Sequence, residues 1–165
     1  MISLSAETDF ERLRSQSTVA ALIGTAIEFE AQAERFYRGL LIQVREELWP
    51  LLTELADEEQ GHRTRLQALA ASPELADTLR ASVEVPLTLS AFEGLLQPPA
   101  LPDDPSDDDL LDYAMVRERV AAQHYAALAD LTTNAAMRAA FAYLADEEVN
   151  HVAQLAERWG RMSED

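Results

Sequence analysis

Glu59 and His62 stand three residues apart in DEEQGH, and Glu148 and His151 repeat that spacing in DEEVNH. Residues three apart on a helix share a face, so each pair can aim a carboxylate oxygen and an imidazole nitrogen in one direction. Such donors suit a hard or borderline divalent metal ion. One Glu-x-x-His alone is a weak signal. Here each follows, at nearly the same interval, another glutamate: Glu30 before the first pair and Glu118 before the second.

The elements that would position these residues are four segments of sustained helical period, at about 17–44, 50–71, 107–131 and 134–159. Apolar positions alternating by three and four mark the buried seam of each. In the first the seam runs Val19, Leu22, Ala26, Glu30, Ala33, Tyr37, Leu40 and Val44. In the second it runs Leu48, Leu52, Leu55, Glu59, His62, Leu66 and Leu69, and in the third Leu111, Ala114, Glu118, Ala121, Tyr125 and Leu128. The fourth gives Met137, Phe141, Leu144, Glu148, His151 and Leu155. Every seam is apolar except near its middle. Four carboxylates facing one core without a counter-charge are untenable, because each buried ion carries a desolvation penalty of several kcal/mol unless paired or bound to metal. Two metal ions held by Glu30, Glu59, His62, Glu118, Glu148 and His151 supply that charge, with Glu30 and Glu118 bridging or capping them.

Local signals bound the helices. Ser15 or Ser17 is expected to cap the first, Pro50 suits the first turn of the second, Ser106 followed by three aspartates starts the third, and Asn134 caps the fourth. Residues from about 72 to 106 are long enough to cross a bundle's whole length, with short helices expected at Pro73 and after Ser90. Val83, Val85, Leu87, Leu89, Phe92, Leu95 and Leu96 are expected to pack this crossover on the bundle's side. LADEEQGH recurs as LADEEVNH, and Glu30 precedes Tyr37 by seven residues as Glu118 precedes Tyr125, which points to a duplicated helical hairpin. The fold expected is all-α: a single domain over 1–165, built as a four-helix bundle of two hairpins joined by a long crossover.

Composition agrees with that fold and narrows the partners. The chain has 5 Gly and 7 Pro and is rich in Ala, Leu, Glu and Arg, which favours helix over strand. Its 30 acidic and 13 basic residues give a formal net charge of -17, so nucleic acid and anionic membranes would be repelled and cations attracted. With 0 Cys there is no disulfide, thiolate zinc site, cysteine-held iron-sulfur cluster or cysteine nucleophile. MISLSAETDFERLR lacks the apolar core of a signal peptide and no segment reaches ~18 uninterrupted apolar residues, so the expected location is cytoplasmic.

EAQAERFY, DEEQGH, ERVAAQHY and DEEVNH, spread over about 17–160, together resemble the rubrerythrin and ferritin-like superfamily. One Glu from each of two helices plus Glu-x-x-His from each of the other two is the ligand set of such bundles. The resemblance implies a di-iron centre that reacts with oxygen or peroxide, and a homodimer; manganese or zinc would suit the same donors. Rubrerythrins proper usually carry a cysteine-rich rubredoxin domain, absent here, so an external electron donor is expected. They also carry a further glutamate three residues after the third-helix ligand, where this chain has Ala121. The six-residue set looks like the symmetrical one of bacterioferritin-like sites, although no fifth helix is expected after the fourth. Two functions fit: a di-iron oxidoreductase of peroxidase or ferroxidase type, or an iron-handling or metal-binding bundle that catalyses nothing.

Neighbouring residues carry weaker expectations. Tyr37 and Tyr125 either hydrogen-bond the ligand carboxylates or simply fill the seam. Glu58 and Glu147 could orient a histidine across the bundle, with a solvated surface position preferred. His124, three residues after Ala121, is read as structural or exposed. Trp49 and Trp159 are read as packing or interface residues, and Glu28 and Glu34 as facing solvent or the crossover.

Overall fold

A computed structural model describes residues 16–162, so Ser15 and the segment before it lie outside the described residues. Four long helices form the bundle: α1 (Val19–Leu40), α2 (Trp49–Ala70), α5 (Asp107–Leu131) and α6 (Ala135–Met162). Two short ones, α3 (Ala76–Arg80) and α4 (Leu89–Gly94), lie in the crossover. α1 pairs along its length with α2, and α5 with α6, as two antiparallel hairpins.

The ends follow from local chemistry. Thr18, not Ser17, caps α1, its side chain accepting from the Ala21 amide at 3.1 Å. Ser17 belongs instead to a three-residue strand β1 (Gln16–Thr18), antiparallel to β2 (Ser82–Glu84) in the crossover. α1 stops at Leu40, short of the expected 44, and Val44 packs half-buried from the following turn. Pro50 sits in the first turn of α2, where its missing N–H is no loss. At α5 Ser106 and Asp109 bond each other's backbone amides as a capping box. The Asn134 side chain accepts from the Met137 amide at 3.0 Å.

The seam positions are buried, with Val44 and Leu69 only partly so. Ionisable residues at mid-height separate the core into two apolar clusters. The cluster toward Leu22, Leu66, Leu128 and Phe141 extends into the crossover through Leu75, Leu79 and Phe92. Phe92 is fully buried, stacking on His124 (4.2 Å between ring centroids) and meeting Phe29 at a tilt (4.3 Å). Val83, Leu89, Leu95 and Leu96 pack partly buried on the same cluster, and Val85 is half-buried. Leu87 departs from expectation: it is wholly exposed, at the turn between β2 and α4. Among the described residues no helix is long and apolar enough to cross a membrane.

Candidate metal centre

All six residues selected by seam position meet in one layer between the apolar clusters. α1 delivers Glu30, α2 Glu59 and His62, α5 Glu118, and α6 Glu148 and His151; each is at most 3% exposed. His62 Nδ1 faces Glu59 Oε2 (3.2 Å), Glu148 Oε1 (3.4 Å) and Glu30 Oε2 (3.9 Å). His151 Nδ1 faces Glu148 Oε2 (3.0 Å), Glu59 Oε1 (3.4 Å) and Glu118 Oε2 (3.5 Å). The two sets are related by the hairpin duplication. Glu59 and Glu148 each send one oxygen to each histidine, as bridging ligands would, whereas Glu30 and Glu118 each reach only one set, as capping ligands would.

Tyrosines fix the outer oxygens of the capping pair. The Tyr125 hydroxyl donates to Glu30 Oε1 and the Tyr37 hydroxyl to Glu118 Oε1, each across the bundle to the other hairpin. Both tyrosines are fully buried. Filling the seam and bonding a carboxylate are therefore not alternatives here, because each ring does both. Glu30 and Glu118 turn their second oxygens inward.

The remaining inward atoms lack ordinary partners. Glu30 Oε2, both oxygens of Glu59 and of Glu148, Glu118 Oε2, and Nδ1 of His62 and of His151 are buried without a hydrogen-bond partner. Unsatisfied buried polar atoms are rare and each costs about 1–3 kcal/mol, so this concentration marks a place built for something else. The atoms divide into two groups, Glu30, Glu59, His62 and Glu148, and Glu59, Glu118, Glu148 and His151, within each of which the ligand atoms lie within 4.8 Å of one another. Four donors per group, mixing carboxylate oxygen and imidazole nitrogen, fit two divalent ions sharing two bridging carboxylates.

Electrostatics without metal reflect the same crowding. Burial, then the charges of Glu59 and a neighbouring carboxylate, push the Glu30 and Glu148 carboxyls well above their usual range. Burial would raise Glu59 too, but the facing imidazoles of His151 and His62 outweigh it and hold Glu59 low. Burial would lower both histidines, and the surrounding carboxylates reverse this and raise them. Burial and the mutual repulsion of the carboxylates thus both favour the neutral carboxyl, and a cation in the layer would relieve both.

Several neighbours differ from expectation. Glu58 is not a free surface carboxylate: its Oε2 lies 2.8 Å from His151 Nε2 across the bundle, the orienting role sequence had ranked second. Glu147 is partly buried and reaches no histidine; it is contacted by Asn150 on its own helix at 3.5 Å. Glu28 is exposed and pairs with Arg35 at 3.2 Å. Glu34 faces neither solvent alone nor the crossover, but pairs with Arg63 of α2 at 2.9 Å and Arg38 at 3.1 Å. His124 is fully buried, its Nδ1 2.8 Å from the Thr88 hydroxyl, and burial lowers its pKa to about 4, so the structural reading stands and the exposed one does not. Trp159 packs half-buried on the lower cluster, whereas Trp49 is 41% exposed. Arg117, which the seams did not reveal, is buried at 3% exposure, its guanidinium 4.9 Å from the Phe29 ring centroid and its Nη1 donating to the Leu95 carbonyl at 3.3 Å. No periodicity marks such a residue, because part of its cover comes from the crossover, at Leu95.

A four-helix bundle with two Glu-x-x-His helices, two capping glutamates and a long crossover defines the class of ferritin-like carboxylate proteins. The rubrerythrin family model matches residues 21–158, and the chain belongs to that family. Among solved structures, the chain is similar to a crystal structure from Thermotoga maritima described as a ferritin-like di-iron-carboxylate protein. The likeness has 26% identity and a TM-score of 0.66, and covers 86% of this chain and 94% of that one. No functionally curated protein matches.

Proposed function

We propose that this chain is a di-iron oxidoreductase, holding two iron ions on Glu30, Glu59, His62, Glu118, Glu148 and His151 and using oxygen or peroxide as oxidant. The observation that carries the reading is the division of the unpartnered inward atoms into two four-donor groups sharing Glu59 and Glu148. Family membership and the di-iron-carboxylate description of the similar structure favour iron over manganese or zinc. Bound ferrous iron supplies the electrons, one per ion, so that a pair can reduce hydrogen peroxide to two waters with two protons.

The residues of the chain do the rest. Glu59 and Glu148, each facing both histidines, would be shared between the two ions. Four carboxylates offset the charge that oxidation adds. Tyr37 and Tyr125 keep their protons on the hydroxyl oxygens, well above the usual tyrosine range because of burial and of Glu118 and Glu30 respectively. They hold the capping carboxylates from behind and stay undissociated at neutral pH. The apolar clusters above and below keep bulk water from the layer. Ala121, fully buried where rubrerythrins proper have a further glutamate, leaves the two groups matched in donor type. With 0 Cys among its own residues, the chain would draw its electrons from an external donor.

A second reading, ferrous iron uptake and transfer, is favoured by the net charge of -17, which raises the local concentration of cations. Turnover separates the two. Ferrous-loaded protein given peroxide and a reductant should consume peroxide catalytically while two iron ions stay bound. Uptake well beyond two ions per chain would favour handling, and failure to consume either oxygen or peroxide would sink the oxidoreductase.

A further inference from the structure

The hairpin duplication makes the two halves of the centre alike in ligands, but not in what stands behind the histidines. In LADEEQGH and LADEEVNH, Glu58 corresponds to Glu147 and Gly61 to Asn150. Glu58 reaches across from α2 to His151 Nε2 at 2.8 Å, its own side chain two-thirds covered. Glu147, the partner by symmetry for His62, is instead contacted by Asn150. Gly61 has no side chain to hold Glu58 in the same way, and a Cβ there would meet open space, so packing does not require the glycine. His62 meets Tyr143 edge-on, with 6.4 Å between ring centroids.

This difference bears directly on metal affinity. A ligand histidine must present an unprotonated Nδ1, which places its proton on Nε2. A carboxylate accepting that proton's hydrogen bond fixes tautomer and ring angle and makes the imidazole a better donor, and its loss typically costs 10–100-fold in affinity. Only His151 has such a partner among the described residues.

We infer that the centre is unequal: Glu58 is a positioning residue for His151, and the group Glu59, Glu118, Glu148 and His151 binds a divalent ion first and more tightly than the group Glu30, Glu59, His62 and Glu148. The inference rests on the dinuclear reading above.

Co2+ titration of the metal-free full chain tests it, read by calorimetry and by the visible spectrum, which reports histidine ligation. Wild type should bind two ions in resolved steps. Glu58→Ala should weaken the first step by about 10–100-fold and the second by less than about threefold. Glu58→Gln, whose amide oxygen can still accept from Nε2, should recover most of the first step and its spectrum. Gly61→Asn, which keeps Glu58 but supplies a competitor for it, should weaken the first step as well, and Glu147→Ala should change neither. Two equal sites in wild type, equal weakening of both steps by Glu58→Ala, or an effect of Glu147→Ala matching that of Glu58→Ala would overturn the inequality while leaving a dinuclear centre. Absence of any tight Co2+ binding would overturn the dinuclear reading itself.

Discussion

At the scale of single residues, the centre is a cluster of buried acids whose cost falls on the metal-free protein. Glu148 takes a carboxyl with an ordinary pKa of 4.5 and holds it well above that by burial and by Glu59 and Glu118. A raised carboxyl pKa destabilises the folded state as pH rises above the unfolded value, because folding then requires uptake of a proton. Glu148→Gln should therefore stabilise the metal-free protein at pH 7 by about 1–2 kcal/mol, with the advantage vanishing below about pH 4.5, as measured by denaturant unfolding. A loss of stability at pH 7 would contradict this. His124 has the opposite sign. Its folded pKa of about 4 lies below its unfolded 6.5, so the unfolded chain takes up a proton that the fold refuses. Stability should fall as pH falls through that window, by roughly 3 kcal/mol in total. His124→Gln, compared with wild type at pH 7 and pH 4, should lose less over that interval, and an unchanged pH dependence would contradict the assignment.

At the scale of elements, the four long helices present their ligands because each seam needs only one or two polar positions at one height. The crossover does the complementary work on the outer side of α1 and α5, where Phe92 inserts between Phe29 and His124. Phe92→Ala should cost about 3–5 kcal/mol in chemical denaturation. A cost under 1 kcal/mol would mean that the crossover is not part of the cooperative core. This contrast also explains what was legible beforehand. Seam residues such as Glu59 and Glu148 announce themselves by period, and the repeated LADEE pairs them. Arg117 and the burial of His124 do not, because the covering residues lie 20 to 40 positions away in an aperiodic segment, at Leu95 and Thr88. Which carboxylates face both histidines was equally hidden, because spacing along one helix carries no information about what lies across the bundle. Thr18 rather than Ser17 is the cap because it ends β1 directly before Val19, and that strand is too short to leave a pattern.

At the scale of the whole molecule, a duplicated hairpin gives a centre with approximate two-fold symmetry, and a net charge of -17 surrounds it with a field that favours cations. The fold is consistent with its purpose only if metal completes the polar layer, since an apolar layer of equal volume would make a more stable bundle. Metal quantification with an optical spectrum tests this most directly, on full-length protein loaded anaerobically with ferrous iron and then exposed to oxygen or peroxide. The account predicts two tightly bound ions per chain, a spectrum that changes on oxidation, and loss of both ions in a Glu59→Ala, Glu148→Ala double variant that remains helical. Fewer than two ions in wild type, or unchanged binding in the double variant, would contradict it.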